Sequence, residues 1–316
     1  MIRWLAIVFV LALPALAWAQ HPAPPIPPAP PAPPSGHPVP PIPPMPPMQP
    51  MPPMPQPGYP GMRMGRKIVA SAEVKGPILL RLDVFSGDVA VVPGVPGKVI
   101  VTVTNGAMQG MRLVPQGEDR MQVEFDGRSK LRTGDVRVQL PRQSSVDVTT
   151  MSGSVSVSGL GGEARVHTIE GDIQIVGCTR VEANAVSGDV KVADARGPVR
   201  VRSVAGSARV SMVGGSASQF VFETTSGDLD WTGTCGKGCR IEVCSMSGDV
   251  RLNLSRDSSF NLRYKSHSGD LEDGLQMSTL RSKEKHSGSD IETRYGRGEG
   301  TIECQSFSGD MEVRGR

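Results

Sequence analysis

Aspartate recurs at one fixed place in the second half of this sequence, directly after a repeated glycine that serine usually precedes. The aspartates at that place are Asp172, Asp189, Asp228, Asp249, Asp270 and Asp310. Stacked about 4.8 Å apart, like charges would repel by roughly 1 kcal/mol per neighbouring pair in water, so the column could recruit a counterion such as calcium. However, Ser154, Ser207 and Ser289 interrupt the column, and the Gly-Gly-x-Gly-x-Asp calcium repeat is absent. We therefore interpret these aspartates as turn residues that hydrogen-bond the local backbone.

A second set of chemically capable residues lies near the N-terminus, where methionine recurs at every third position. Met45, Met48, Met51 and Met54 lie among prolines, and His21 and His37 lie upstream. Thioether and imidazole groups are soft ligands that suit Cu(I), so the four methionines are a weak candidate metal site. The alternative is that methionine is only the apolar filler of a proline-rich stretch, since a flexible chain loses much entropy when it closes around an ion. We predict no cofactor and keep periplasmic copper binding as an alternative function.

The chain contains five cysteines: Cys178, Cys235, Cys239, Cys244 and Cys304. In an exported protein the cysteines are expected to pair in disulfides, and an odd count of five leaves one cysteine without a partner. Cys235 and Cys239 flank a Gly-Lys-Gly turn and are the predicted disulfide. Strand alternation places Cys244 outward and Cys304 inward. A zinc site is not expected, because no fourth ligand lies near the other cysteines.

One stretch carries cations where the rest of the sequence repeats apolar residues. Arg281 and Lys283 occupy positions that are apolar in the other repeats. Burying two unpaired cations would be prohibitive, so this stretch is expected to leave the regular structure as a bulge or exposed loop. The alternatives are a merely solvated loop and a patch for an anionic partner. The candidate residues of that patch are Arg281, Lys283, Lys285, His286, Arg294 and Arg297.

The elements that position these residues follow from the Ser-Gly corner. The corner glycines lie 17 to 21 residues apart and are Gly153, Gly171, Gly188, Gly206, Gly227, Gly248, Gly269, Gly288 and Gly309. A unit so short cannot bury its own apolar face and has to stack on copies of itself. Apolar residues recur two and four positions after most of these glycines and seven and five positions before them, which is the period of β-strands. Each coil is thus predicted to contain two strands that meet at a glycine corner.

These patterns predict an all-β protein, a slim parallel β-helix or β-solenoid with about nine regular coils over residues 141–316. At about 4.8 Å per coil, eight steps make it roughly 38 Å long. Residues 67–140 are rich in β patterns but lose the period, although the corner Ser86-Gly87-Asp88 already occurs there. We expect this part to form irregular first coils or a β-rich cap, because the terminal repeats of a solenoid are usually atypical.

The N-terminal part predicts export. Residues 1–19 contain an apolar run from Trp4 to Leu13 and the small-residue site Ala17-Trp18-Ala19, which is typical of a cleaved signal peptide. An uncleaved anchor is the alternative, but the run is short for a membrane span. Residues 20–66 should be a disordered, extended polyproline II-like tether, because residues 20–60 hold 22 of the 29 prolines and no Asp, Glu, Lys or Arg.

The run from Leu140 through Ser152-Gly153 to Glu170-Gly171-Asp172-Ile173, with the later Ser-Gly-Asp corners, resembles the bacterial putative-adhesin β-strand-repeat family. The resemblance covers roughly residues 68–313, and the members of that family are classed as a domain of unknown function. It implies a β-solenoid on an exported or membrane-linked protein and no established activity. Because the matching motifs are repeat corners, the resemblance supports the fold more than a function.

The function that these patterns favour is non-enzymatic. The sequence lacks a phosphate loop, a nucleophile elbow and a His-Glu-x-x-His motif, and a net charge of +3 with three Tyr and three Trp gives no nucleic-acid footprint. We predict an exported envelope or surface protein, in the periplasm or at the cell surface, that binds or scaffolds an envelope protein or polysaccharide like an adhesin. The alternative is a polysaccharide-active β-helix enzyme, which would need outward carboxylates along one face.

The C-terminus adds an expectation about self-association. The last predicted strand, residues 310–313, is followed only by Arg314, Gly315 and Arg316. An uncapped solenoid end presents unpaired backbone groups that another chain can bind, and charged residues beside it blunt that tendency. We therefore expect weak end-to-end self-association through this strand.

Overall fold

The computed structural model describes residues 67–104, 110–126, 134–213, 219–285 and 288–316, which form β-strands and no helix. The strands of the less regular N-terminal part are β1 (Ile68–Glu73), β2 (Leu79–Ser86), β3 (Val89–Pro93), β4 (Lys98–Thr104), β5 (Gly110–Pro115), β6 (Arg120–Asp126) and β7 (Asp135–Leu140). The strands that follow are β8 (Ser145–Ser152), β9 (Val155–Ser158), β10 (Glu163–Glu170), β11 (Ile173–Val176), β12 (Arg180–Ser187), β13 (Val190–Ala195), β14 (Val199–Ala205), β15 (Ala208–Met212), β16 (Gln219–Ser226), β17 (Leu229–Gly233), β18 (Arg240–Ser247), β19 (Val250–Leu254), β20 (Phe260–Ser268), β21 (Leu271–Asp273), β22 (Ser278–Lys285), β23 (Gly288–Tyr295), β24 (Gly300–Ser308) and β25 (Met311–Gly315).

The strands form two long sheets on either side of an apolar interior. One sheet has the order β1-β4-β7-β3-β9-β11-β13-β15-β17-β19-β25-β21, and the other has the order β22-β23-β20-β24-β18-β16-β14-β12-β10-β8-β2-β6-β5. Successive coils pair in parallel and in register, so that Val166 pairs with both Val148 and Ala183. All three side chains are buried, as strand alternation requires. The predicted parallel β-solenoid is confirmed.

The coils turn at glycines that stack on one another. Gly248 has a φ of +123°, and a Cβ atom there would overlap the carbonyl group of Gly227 in the next coil. Both the backbone conformation and the lack of space therefore require glycine. The same contact links the described corner glycines in the order Gly134, Gly87, Gly153, Gly171, Gly188, Gly206, Gly227, Gly248, Gly309 and Gly269. This order is also the order in which the coils are stacked.

The stacking order departs from the chain order at both ends. At the N-terminal end, β6 pairs with β2 and β7 pairs with β3, so the coil of Gly134 lies on the opposite side of the Gly87 coil from the coil of Gly153. At the C-terminal end, β24 lies between β18 and β20, and β25 lies between β19 and β21. The coil of β20 and β21 thus leaves an empty layer next to β18 and β19, and the last coil, formed by β24 and β25, fills that layer.

This arrangement corrects the prediction that the final strand is the open end of the solenoid. β25 pairs with β19 along its whole length and with β21 at residues 311–313, so most of both edges is already occupied. The expected end-to-end contact through Arg314 and Arg316 therefore lacks its structural basis. Self-association stays a prediction, and it would have to use a different strand.

Antiparallel strands cover the ends of both sheets except at β21. β1 and β4 extend one sheet beyond β7, and β5 extends the other beyond β6. At the far end, β23 pairs with β20 and β22 pairs with β23. Gly288 begins β23, so the prediction that it is a solenoid corner is wrong. Arg281 and Lys283 leave the regular coils, but they lie in an exposed strand instead of a loop, because β22 pairs along one edge with β23 in a hairpin.

Candidate functional site

The aspartates after the corner glycines form hydrogen bonds between coils. The main-chain N–H of Asp249 donates to Asp228 Oδ1 at 2.9 Å, and the N–H of Asp310 donates to Asp249 Oδ1 at 3.0 Å. Asp189 and Asp172 are linked in the same way at 2.9 Å. In the described part of the chain, no cluster of three or more His, Cys, Asp or Glu side chains is arranged to hold a metal ion. The geometry therefore gives these carboxylates a structural role at the turn.

The cysteines separate into a disulfide and three thiols. Cys235 and Cys239, the pair singled out by the sequence, are joined in a disulfide. Cys178 and Cys304 are buried and Cys244 is exposed. Burial raises the pKa of the Cys178 thiol to about 11 and that of the Cys304 thiol to about 12. Both buried thiols are therefore protonated and unreactive at neutral pH.

The candidate basic patch is mixed in charge. In the antiparallel register of β22 and β23, Arg281 lies opposite Glu292 and Lys283 lies opposite Asp290. Arg263 of β20 also lies 3.5 Å from Glu292 and 3.7 Å from Asp290. These carboxylates offset the cations, so an anionic partner for this surface remains only a prediction.

The other predicted patch residues are spread around the same hairpin. Arg294 donates a hydrogen bond to Asn261 Oδ1 at 2.9 Å, and the main-chain N–H of Arg297 donates to Ser259 Oγ at 2.9 Å. Lys285 ends β22 opposite Gly288. His286 lies outside the described residues. The structure thus brings the cations to one end of the molecule without making a site of them.

The candidate copper ligands Met45, Met48, Met51 and Met54 lie outside the described residues, as do the predicted signal peptide and all of the predicted tether. Within the described ranges, no helix has the length and apolar character that a membrane span requires.

The most conspicuous surface feature is a line of exposed apolar side chains, here called the apolar stripe. Its members lie two residues before each corner glycine and follow the stacking order Phe85, Met151, Ile169, Val186, Val204, Thr225, Met246, Phe307 and His267. The seven apolar members are between 37% exposed, for Phe85, and 59% exposed, for Met246. The rings of Phe307 and His267 stack with their centroids 4.7 Å apart. Large contiguous patches of exposed apolar surface are uncommon on soluble proteins, and they often mark interaction sites.

Two grooves run beside the apolar stripe. The larger has a volume of about 660 Å³ and contacts Met246 and Phe307, and the smaller, of about 320 Å³, contacts Ile169 and Val186. One wall is the stripe itself. The other wall is a polar column four residues before each glycine, formed by Thr149, His167, Asn184, Arg202, Glu223, Cys244 and Gln305. The residues between the two walls are small and mostly hydroxylated, namely Thr150, Thr168, Ala185, Ser203, Thr224, Ser245 and Ser306.

Two hydroxyl groups on the floor of the larger groove have no partner in the described residues. Thr150 Oγ1 donates to the Ser152 carbonyl at 3.2 Å, and Ser245 Oγ donates to the Ser247 carbonyl at 3.1 Å. By contrast, Ser203 Oγ and Thr224 Oγ1 form no hydrogen bond there, although the side chains are only 6% and 9% exposed. A buried hydroxyl without a partner costs about 1–3 kcal/mol. Both oxygens are shielded from solvent, because these side chains point into the solenoid like those five and seven residues before each glycine.

The sequence contained the signal for this surface. Because the columns five and seven residues before each corner glycine are inward, alternation places the column two residues before the glycine outward. Its members are apolar at seven of nine corners, where polar residues would be expected on a solvent-facing strand. An outward column that is mostly apolar is thus the feature that would have indicated a contact surface.

Comparison with known proteins finds a matching family and several solved structures with some similarity to this chain. A family model described as Toastrack DUF4097 matches residues 86–314. A putative adhesin from Parabacteroides distasonis is 11% identical, with a TM-score of 0.37, over 79% of this chain and 97% of the other. A putative adhesin from Bacteroides fragilis is 13% identical, with a TM-score of 0.33, over 79% and 97%. A putative cell adhesion protein from Clostridium sporogenes is 10% identical, with a TM-score of 0.29, over 80% and 100%. No curated protein matches the sequence.

Proposed function

The chain belongs to the Toastrack DUF4097 family, and we propose that it is a non-enzymatic binding or scaffolding module of the cell envelope or cell surface, with an adhesin-like role. The observation that carries the proposal is the apolar stripe, which crosses nine successive coils from Phe85 to His267. At about 4.8 Å per coil, it is roughly 38 Å long. Such a line suits a long, narrow partner better than a compact small molecule.

The scaffold beneath the stripe supports a binding role because it is rigid. Each stripe residue is held next to a corner whose φ and packing admit only glycine, as at Gly248. The spacing of the stripe is therefore fixed by the backbone hydrogen bonds of the coils. A preorganised surface loses little conformational entropy on binding, so modest apolar contacts contribute more of their energy to affinity.

The grooves also favour binding over glycan cleavage. Glycosidases use a pair of carboxylates that flank the scissile bond. Among the residues that line the two grooves, the one acidic side chain is Glu223, which pairs with Arg202 at 2.8 Å. The residues that line the grooves therefore do not supply the second carboxylate that such a pair needs.

A binding measurement with matched variants tests the proposal. The partner would be identified by photo-crosslinking the exported protein in intact cells, and then purified. Replacing Val204, Met246 and Phe307 together by Ser should weaken its binding at least tenfold. Replacing Val69 and Val95, which are equally exposed but lie outside the stripe, should leave the affinity unchanged. Equal loss in both variants, or hydrolysis of a glycan panel by the parent protein, would overturn the proposal.

A further inference from the structure

The sheet that carries the apolar stripe presents three columns of outward side chains. Beside the stripe runs the polar column four residues before each corner glycine, and beyond it a charged column six residues before each glycine. In stacking order over the eight coils from Gly153 to Gly269, the charged column consists of Asp147, Arg165, Glu182, Arg200, Val221, Glu242, Glu303 and Arg263. The face is thus apolar on its corner side and charged, with both signs, on the other side.

The apolar stripe is able to pack against the same stripe of a second copy. A two-fold axis parallel to the strands reverses the order of the coils but keeps every column opposite itself. With the axis between the fourth and fifth of the eight coils, all eight stripe residues face one another. The facing pairs are Val204 with Thr225, Val186 with Met246, Ile169 with Phe307 and Met151 with His267.

The same symmetry brings opposite charges together in the charged column. Arg165 lies opposite Glu303 of the second copy, and Asp147 lies opposite Arg263 of the second copy. Within the described residues, neither Asp147 nor Glu303 forms a salt bridge, and the two arginines are nearly half exposed. Because each contact occurs twice in a two-fold dimer, the face is complementary to itself in charge.

The polar column fixes where the axis lies. Arg202 and Glu223 flank it and are paired within the chain at 2.8 Å. The second copy presents the same pair in reverse order, so the four charges alternate in sign. Moving the axis by half a coil in either direction would place Arg202 against itself or Glu223 against itself, and like charges repel. Either shift would also turn one of the contacts in the charged column into a like-charged pair.

One like-charged pair remains in these columns, because Glu182 lies opposite Glu242 of the second copy. Each of these carboxylates has an arginine of its own chain beside it. Arg165 lies 3.6 Å from Glu182, and Arg240 is hydrogen-bonded to Glu242. These arginines offset most of the repulsion at an exposed surface.

The area of the contact predicts a weak dimer. Seven steps of about 4.8 Å make the facing region roughly 34 Å long, and the three columns are about 13 Å wide. Each copy would therefore bury on the order of 500 Å², below the roughly 800 Å² per partner of a standard stable interface. The dimer should accordingly be in exchange with the monomer.

We propose that the apolar stripe and the two columns beside it mediate a two-fold dimer, in which a second copy of this chain is the partner of the stripe. The inference rests on the proposed function, because it uses the same binding surface and names one partner for it. An external envelope partner of the stripe competes with this dimer.

Sedimentation velocity of the mature full-length chain over a concentration series tests the dimer. Arg165→Glu should raise the Kd of dimerisation at least tenfold, because the repulsion with Glu303 occurs twice. Adding Glu303→Arg should restore the Kd to within about threefold of the parent. The two residues are five coils, or about 24 Å, apart within one chain, so only a contact between copies explains such a rescue.

Two controls separate this contact from general effects. Arg165→Glu with Glu272→Arg has the same net charge as the swap, but Glu272 lies exposed on β21 in the other sheet, so this pair should not restore the dimer. Val204→Ser, Met246→Ser and Phe307→Ser together should abolish the dimer, whereas Val69→Ser with Val95→Ser should not. If Arg165→Glu does not fold, Arg165→Gln and Glu303→Gln replace it. The double neutral variant should then weaken the dimer no more than either single one.

Three outcomes would overturn the inference. A parent that is monomeric at its limit of solubility would show that the stripe does not bind a second copy. A failed rescue by Glu303→Arg would rule out this arrangement, and a dimer that survives the stripe substitutions would place the contact elsewhere. None of these results decides the proposed function, because the external partner is measured separately and Arg165→Glu leaves every stripe side chain in place.

Discussion

Gly248 packs directly on Gly227, and a Cβ atom on Gly248 would overlap the Gly227 carbonyl group. The contact recurs at every step of the stacked corners, so the coils approach one another at this edge more closely than any side chain would allow. Backbone geometry therefore fixes the spacing of the stacked corner glycines, and the residues of the apolar stripe beside them have the same regular spacing.

We predict that Gly248→Ala lowers the free energy of unfolding by about 3 kcal/mol or more. The alanine would have an unfavourable φ near +123° and would also collide with backbone that cannot move without disturbing the next coil. Two control variants separate these causes. Gly117 has a φ of +120° with open space around it, and Gly76 has open space without a positive φ. In denaturant unfolding, alanine should lower the free energy of unfolding most at Gly248, less at Gly117 and least at Gly76. An equal loss at Gly117 and Gly248 would show that the close contact between stacked coils has no role.

We predict that Asp228→Ala lowers the free energy of unfolding by roughly 1 kcal/mol, whereas Asp228→Asn does not. Alanine removes the acceptor for the Asp249 N–H, but asparagine keeps an oxygen at that place and relieves repulsion in the column. Calcium or a chelator should leave the melting temperature of the parent protein unchanged. A melting temperature that rises with calcium, and no longer does so in the Asn variant, would instead show that the carboxylates form a cation site.

The buried thiols should make the fold sensitive to alkaline pH. The pKa of Cys178 is about 11 and that of Cys304 about 12 in the fold, against an ordinary value of 9.0, because burial disfavours the thiolate. Above pH 9 the unfolded chain loses these protons and the folded chain keeps them, so stability falls as the pH rises, by about 1.4 kcal/mol per pH unit for each thiol. Cys304→Ala should be less stable at pH 7 and lose less stability between pH 9 and 11. An unchanged slope, measured by urea unfolding, would contradict this account.

Cys244 should be the thiol that reacts in the folded protein, and slowly. Partial burial, followed by the charges of Glu223, Glu242 and Glu303, raises its pKa. Alkylation by iodoacetamide at pH 8 should therefore be slower than that of a free cysteine, and Glu223→Gln should accelerate it, because the thiolate forms more readily. Mass spectrometry of the alkylated protein measures both effects. Modification of Cys178 or Cys304 before Cys244 would contradict the burial pattern.

The charged residues Arg281 and Lys283 on the exposed edge of β22 should limit pairing of this strand with other copies of the chain. Replacing Arg281 and Lys283 by Ser should change stability by less than about 1 kcal/mol, because exposed cross-strand ion pairs contribute little. Replacing both by Val should instead produce larger particles in light scattering, since an uncharged β edge pairs with other chains. Arg314→Val is the matched control, because it lies on β25, which stands between β19 and β21 in its sheet. Larger particles from the control alone would show that β25 is exposed after all.

The sequence supported the repeat unit well because the unit is encoded locally. The glycine corner, the flanking inward columns and the close pair Cys235 and Cys239 each depend on residues near one another in the chain. The order in which the coils stack could not be predicted from the sequence, because every coil presents the same backbone edges and similar apolar columns to its neighbours. Nothing in the residues near Gly309 favours a place between Gly248 and Gly269 over a place beyond Gly269. The observed order goes with the pairing of β20, which has β23 along one edge and β24 along the other.

The sequence by itself determined that this protein is a β-solenoid with glycine corners, since period, turn chemistry and strand alternation all lie within about 20 residues. Only the tertiary structure decided that Phe307 lies between Met246 and His267, and hence that the apolar stripe runs to the end of the stack. The tertiary structure likewise decided that β1 extends one sheet beyond β4. Both are consequences of which coil stacks on which, and stacking is decided by the pairing of distant strands, a property of the assembled chain that no local pattern encodes.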